Sequence, residues 1–161
     1  MMIAEPQKEH RWLQQLLGDW TYESEGICGE GEAPTKASGI ERVREIGGLW
    51  IVAEGEGEMP GGGPMRTGMT LGYDPAKGRY VGTFVASMMT HLWIYEGTLD
   101  ETGRVLTLDT TGPSMEGDGK TARYQDVIEV KSPEERLFTA RVERSDGTWQ
   151  ELMVARYRRR G

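Results

Sequence analysis

The chain is short of cysteine, of histidine and of positive charge. Cys28 is the only cysteine among 161 residues. An intrachain disulfide is therefore impossible, and the ordinary role of such a residue is that of a small hydrophobe. No run comes near the roughly 18 consecutive apolar residues that a membrane-spanning helix needs. Met1 to Arg11 carry Glu5, Lys8, Glu9 and His10 without an apolar stretch, unlike a secretory signal. These features lead us to expect a reducing, cytoplasmic setting. Lys and Arg number 19 against 26 Asp and Glu, a formal net charge of −7. That balance argues against nucleic acid, whose binding rests on phosphate neutralisation. The one basic cluster, Arg156, Arg158, Arg159 and Arg160, reads as a solvated terminus.

Only two histidines occur, His10 and His91, and they lie in segments that the strand order below sends to opposite ends of the fold. They cannot share a metal, and no Cys/His cluster has zinc spacing, so no metal site is expected. The Ser residues 24, 87 and 114 have no companion His–Asp signature, which leaves no nucleophilic triad to argue. Gly61-Gly62-Gly63 lacks the following Lys-Ser/Thr of a phosphate loop.

What the chain does have is 37% hydrophobic residues, 28% charged residues and 23 glycines. The first two suit a soluble globular protein, and the length suits one domain over residues 1–161. The glycines follow no three-residue period, which excludes collagen; they sit in turns and within strands, as where a sheet bends hard to close.

Pro6 suits a first helical turn, and Trp12, Leu13, Leu16 and Leu17 recur at helical spacing before Gly18. This predicts a short helix over about 7–17. From Gly18-Asp19-Trp20 onward the period changes to two. Ten strand-like segments follow: 19–28, 35–46, 49–58, 65–74, 79–87, 92–99, 104–111, 121–131, 136–144 and 148–158. Short connections between successive segments imply an antiparallel meander. Closing it removes the exposed edges. The expected fold is all-β: a roughly ten-stranded up-and-down closed barrel with one short N-terminal helix.

In a meander, alternate loops share an end. Gly47-Gly48, Pro75 to Gly78, Asp100 to Gly103 and Ser132 to Glu135 are compact. Gly29 to Pro34, Met59 to Pro64, Met88 to His91 and Gly112 to Lys120 are mostly longer or richer in Gly and Pro, and Ser145-Asp146-Gly147 shares their end. We expect the compact end to be closed beneath the helix and the other end to be a mouth.

Gly18-x-Trp20 opening the first strand, with a basic residue closing the last, resembles the calycin-type barrels, the lipocalins and fatty-acid-binding proteins. The resemblance implies an Arg packed over the Trp at the closed end, here Arg156 or Arg158. Over nearly its full length the chain is similar to an uncharacterised bacterial family of calycin-like barrels. Trp12-Leu13, Leu17-Gly18-Asp19-Trp20, Leu71-Gly72-Tyr73-Asp74, Tyr95 to Asp100 and Tyr157-Arg158-Arg159 carry that likeness. Haem-binding barrels of this type place a His near the last strand; this last strand has none, so haem is not expected, and no other cofactor is predicted.

Alternation assigns the interior. Met65, Thr67, Met69, Leu71 and Tyr73 share one face of the fourth strand, and Tyr124, Asp126, Ile128 and Val130 share one face of the eighth. Either parity of the tenth strand puts a charge inside, Glu151 with Trp149 and Met153, or Arg156 with Leu152 and Val154. Of nine methionines, Met59, Met65, Met88, Met89 and Met115 fall on or beside mouth loops, where flexible thioethers suit an adaptable apolar entrance. Glu54, Glu56 and Glu58 alternate with glycine and read as a solvated outer face.

The leading expectation is a barrel that binds a small apolar or amphipathic ligand. The mouth would be Met88, Met89 and His91, the walls Tyr22, Met69, Phe84, Trp93, Tyr95 and Tyr124, and the polar anchors Asp126 and Glu151. A second reading is an enzyme in which Asp126 or Glu151, desolvated among aromatics, moves a proton. A third is a filled barrel working through its outer surface as a homodimer, because Trp50 and Val52 make the third strand apolar on both faces.

Overall fold

The computed structural model describes residues 3–26, 33–59 and 61–160; Cys28 lies outside them, as do most of the first hairpin loop and Pro60. Helix α1 (Lys8–Gln14) is followed by ten strands: β1 (Gly18–Gly26), β2 (Thr35–Ile46), β3 (Trp50–Glu58), β4 (Pro64–Asp74), β5 (Arg79–Ala86), β6 (Trp93–Leu99), β7 (Val105–Pro113), β8 (Thr121–Ser132), β9 (Glu135–Glu143) and β10 (Trp149–Arg159). Each strand pairs antiparallel with the next, and β1 pairs with β10 to close the barrel. The expected all-β meander is therefore the observed one, with boundaries within a few residues throughout.

The helix is shorter than its apolar pattern. After Gln14 the backbone tightens, Leu16 N–H donating to Leu13 C=O and Leu17 N–H to Gln14 C=O, which delivers the chain to Gly18 at φ 120°. Such a short helix has little stability of its own and needs a surface to lie on. His10 supplies part of it: Nδ1 accepts the Gln7 backbone N–H at 2.9 Å, and Nε2 lies 3.0 Å from the Tyr73 carbonyl at the end of β4. Trp12 Nε1 donates to the Gly103 carbonyl in the β6–β7 turn at 2.7 Å. The helix thus covers the compact-loop end, as loop order implies. The tightest of those loops, Gly47-Gly48, has both residues at positive φ, the conformation of a two-residue hairpin turn that matches strand twist.

Trp20 closes this end. It is buried at 1% exposure, and its Nε1 donates to the Leu16 carbonyl at 3.0 Å. The arginine expected over it is neither Arg156 nor Arg158. A bulge between Glu151 and Met153 resets the alternation of β10, so Arg156 and Arg158 point outward, and Arg156 pairs with Glu135 at 3.2 Å. Arg159 takes the place instead. Its guanidinium lies 4.3 Å from the Trp20 ring centroid and donates to the Leu17 and Gln15 carbonyls at 2.5 and 2.9 Å.

The outer face behaves as its sequence suggests in one respect. Glu54, Glu56 and Glu58 are exposed, and Glu56 pairs loosely with Arg66 at 3.9 Å. Trp50 also points outward. Its ring lies against Gly72, where a Cβ would collide with it, and 41% of the residue stays exposed. Among the described residues no helix is long and apolar enough to cross a membrane.

Candidate functional site

The barrel is not filled by its own side chains. A cavity of about 720 Å³ runs from the long-loop end down to Leu16 and Tyr157 near the closed end. One wall, built by β3, β4 and β5, is almost wholly apolar: Ile51, Ala53, Met65, Met69, Leu71 and Phe84, interrupted by Thr67. The polar groups lie around the rest of the lining: Tyr22 and Ser24 on β1, Glu41 on β2, Trp93, Thr110, Tyr124, Asp126 and Arg136 from β6 to β9, and Tyr157 on β10. At the mouth stand Met88, Met89, His91 and Met115, with Met88 and Met115 50% and 68% exposed.

Of the residues expected to form the site, Tyr22, Met69, Phe84, Met88, His91, Trp93, Tyr124 and Asp126 all face this cavity. Tyr95 does not. It is packed in the interior core at 1% exposure, outside the cavity lining, and its hydroxyl donates to Asp126 Oδ2. Glu151 is a correction: it is exposed on the outer face. The β10 bulge lies beside it, so Leu152 and Met153 both turn inward while the carboxylate stays in water. No charge from β10 enters the cavity. Met59, expected at the mouth, is also absent from the lining.

Two cavity-facing charges escaped the sequence reading, Glu41 on β2 and Arg136 on β9. They form an ion pair with each other, and their side chains are 14% and 5% exposed. The Arg136 guanidinium lies 4.0 Å from the Tyr157 ring centroid and 4.7 Å from that of Trp20. Aromatic faces and one carboxylate thus replace part of the water it has lost, while its Nε is buried without a hydrogen-bond partner. Glu41 has its own effect on the floor: burial first, and then this carboxylate, push the Tyr22 hydroxyl above its usual range. That hydroxyl lies over Gly39 and Gly57, where any Cβ would strike it.

Asp126 is the other cavity acid, and its surroundings differ. Tyr95 is its one hydrogen-bond partner, and no cation is paired with it among the described residues. It keeps some accessible surface only because it faces the open cavity. Burial pushes its carboxyl up from 3.8 to about 6, with the Tyr95 hydrogen bond acting in the opposite direction. Tyr95 responds in kind: burial, and then the Asp126 carboxylate, drive its hydroxyl far above the usual range. The result is a carboxyl group whose titration is raised well above the ordinary carboxylate range in a mostly apolar chamber.

Above Asp126, aromatic rings meet edge to face. His91 and Trp93 lie 4.6 Å apart between centroids, and Trp93 and Tyr124 lie 4.9 Å apart. His91 Nε2 lies 3.0 Å from the Thr111 carbonyl, and the Tyr124 hydroxyl donates to the Pro113 carbonyl at 2.5 Å. Trp93 is seated on Gly112, where a Cβ would collide with the indole. The mouth therefore combines flexible thioethers with a braced aromatic series.

The chain is similar in fold to several solved structures with which it shares little sequence. Rv2717c from M. tuberculosis is 15% identical, with a TM-score of 0.68 over 98% of this chain and 100% of that one. A redesigned β-barrel, mFAP0, solved bound to DFHBI, is 12% identical with a TM-score of 0.51 over 91% and 100% of the two chains. EF1p2_mFAP2b, also bound to DFHBI, is 14% identical with a TM-score of 0.51 over 95% and 100%. At such identities the likeness extends to the fold alone. No curated protein matches the chain. The family model described as a protein of unknown function, DUF1579, matches residues 5–159, and the chain belongs to that family.

Proposed function

We propose that this protein binds one small, mostly apolar molecule inside the barrel, admitted between the 88–91 loop and the 113–115 segment. The observation that carries this reading is the cavity itself: about 720 Å³, open at one end, lined mostly by apolar side chains with a few polar groups among them. Small-molecule sites have this size and composition. The DFHBI complexes of mFAP0 and EF1p2_mFAP2b support it at the level of architecture. The helix-covered end with Trp20 beneath Arg159 supports placing the barrel among the calycin-like folds. The test is titration with N-phenyl-1-naphthylamine, whose fluorescence rises in apolar surroundings. Saturable binding of one probe per chain is expected, and Ala140→Trp, which fills the cavity, should abolish it while leaving a cooperative melt. Absence of saturable binding to the unmodified protein refutes the reading.

Asp126 favours a second reading, proton transfer within the same cavity. A carboxylate stripped of water and held by one hydrogen bond is a stronger base than a solvated one. The probe is 5-nitrobenzisoxazole, in which removal of the carbon-bound proton breaks the N–O bond and releases a coloured phenolate. Ring opening faster than in buffer, and lost in Asp126→Asn, is the expected result. A rate equal to the buffer rate overturns this reading without touching the first.

A further inference from the structure

The two acids in the cavity are not equivalent, and the difference specifies what the cavity takes. Glu41 has its counter-charge in Arg136. Asp126 has none: its Oδ2 is held by a neutral phenol, and no basic side chain is paired with it among the described residues. Arg136 pairs with Glu41 and packs against Tyr157 and Trp20, and no hydrogen bond or ion pair joins it to Asp126. Counting formal charges, the cavity is left with one negative charge that no basic side chain among the described residues meets. Between Asp126 and the mouth, the access route passes the Tyr124 and Trp93 rings. Aromatic faces attract cations, most strongly where water is excluded. The chain as a whole carries −7, which favours the approach of cations and disfavours that of anions.

We propose that the ligand is a cationic amphiphile: an organic amine or quaternary ammonium compound whose charged nitrogen is met by the Asp126 carboxylate and the Trp93–Tyr124 rings, and whose apolar body lies against the β3–β5 wall. This rests on the binding function proposed above and names its ligand class. It runs against the simplest expectation for an apolar barrel, a fatty-acid carboxylate, which would enter a chamber already holding an excess negative charge. A charge-assisted contact of this kind is worth more than a neutral one.

Competition against N-phenyl-1-naphthylamine at pH 8 separates the outcomes, with octylamine, octanol and octanoate as competitors of equal chain length. Octylamine should displace the probe at least about tenfold more effectively than octanol, as expected for a hydrogen bond to a charged group, and octanoate should be the weakest of the three. Asp126→Asn should erase the octylamine preference while leaving octanol within about threefold, because the shape is kept and only the charge is lost. Trp93→Leu should weaken octylamine more than octanol. Octanol or octanoate equal to or better than octylamine on the unmodified protein overturns the ligand class but leaves apolar binding standing. An octylamine preference that survives Asp126→Asn overturns the assignment to this residue. Failure of the naphthylamine probe to bind at all defeats the binding function itself, and the ligand class with it.

Discussion

Replacing Asp126 by Asn should make the protein more stable at neutral and alkaline pH. The side chain keeps its shape, and its amide oxygen can still accept the Tyr95 hydrogen bond. What disappears is an ionised carboxyl held where burial raises its titration from 3.8 to about 6. The sign follows from proton counting. Between about pH 4 and 6 the folded protein holds a proton at this site that the unfolded chain has released, so the contribution of Asp126 becomes less favourable as pH rises through that window. Below it both states are protonated and the effect vanishes; above it the cost is complete. A rise of this size corresponds to about 3 kcal/mol at most, and water entering the open mouth reduces it toward about 1 kcal/mol. The assay is urea denaturation of both proteins at half-unit steps from pH 4 to 8. The other titrating groups are common to the two and cancel in the difference. The variant should gain about 1–3 kcal/mol at pH 8, with the gain shrinking to near zero at pH 4. A variant that is less stable at pH 8, or a difference flat across the window, would refute the claim that Asp126 is held ionised against its surroundings.

Arg136→Met should cost about 3–5 kcal/mol in the same denaturation assay, because it strands the Glu41 carboxylate, whereas the double variant with Glu41→Leu should recover most of that loss. Arg159→Ala removes two hydrogen bonds to the chain after α1 and a cation from the Trp20 ring; a loss of about 2 kcal/mol is expected, with hydrogen exchange accelerating first in residues 8–17. Gly112→Ala forces Trp93 off its seat; naphthylamine affinity should fall about tenfold, with a stability loss of about 1–3 kcal/mol from overpacking.

The barrel is legible in this sequence because its signals are redundant. Ten alternating segments, each bounded by turn residues, predict one another's neighbours, and a small error at any boundary changes nothing. Loop order even separates the closed end from the mouth. The interior is less legible, and the failures share a cause. Alternation predicts inward residues only while its phase holds. The bulge after Glu151 breaks that phase, so the parity that turns Met153 inward does not extend back to Glu151, which is solvated; Arg156 and Arg158 are named by the resemblance alone, which does not specify which arginine of the terminal cluster reaches Trp20. Strand β2 carries charged residues on both faces, so its alternation is mute, and Glu41 could not be singled out. Arg136 gave no signal at all, since an arginine entering a strand is ordinarily at the surface and its partner lies 95 residues away. Where a strand has one clearly apolar face, as in β4 and β8, the same rule places Met69 and Asp126 correctly in the wall.

The two interior carboxylates show what separates support from site in this fold. Glu41 sits deep, but its charge is answered by Arg136, which is itself backed by Tyr157 and Trp20. That group closes the floor. Removing any one member leaves a neighbour unpaired, so its constraints are those of folding. Asp126 contributes nothing comparable: one neutral donor holds it, no cation among the described residues answers it, and burial raises its carboxyl instead of stabilising the charge. An apolar or amide side chain of similar size would serve the barrel better on stability grounds alone. A residue that costs stability in the free protein, faces an open chamber and stands beside aromatic rings has its counterpart outside the chain, and a cationic ligand supplies the charge that the barrel withholds.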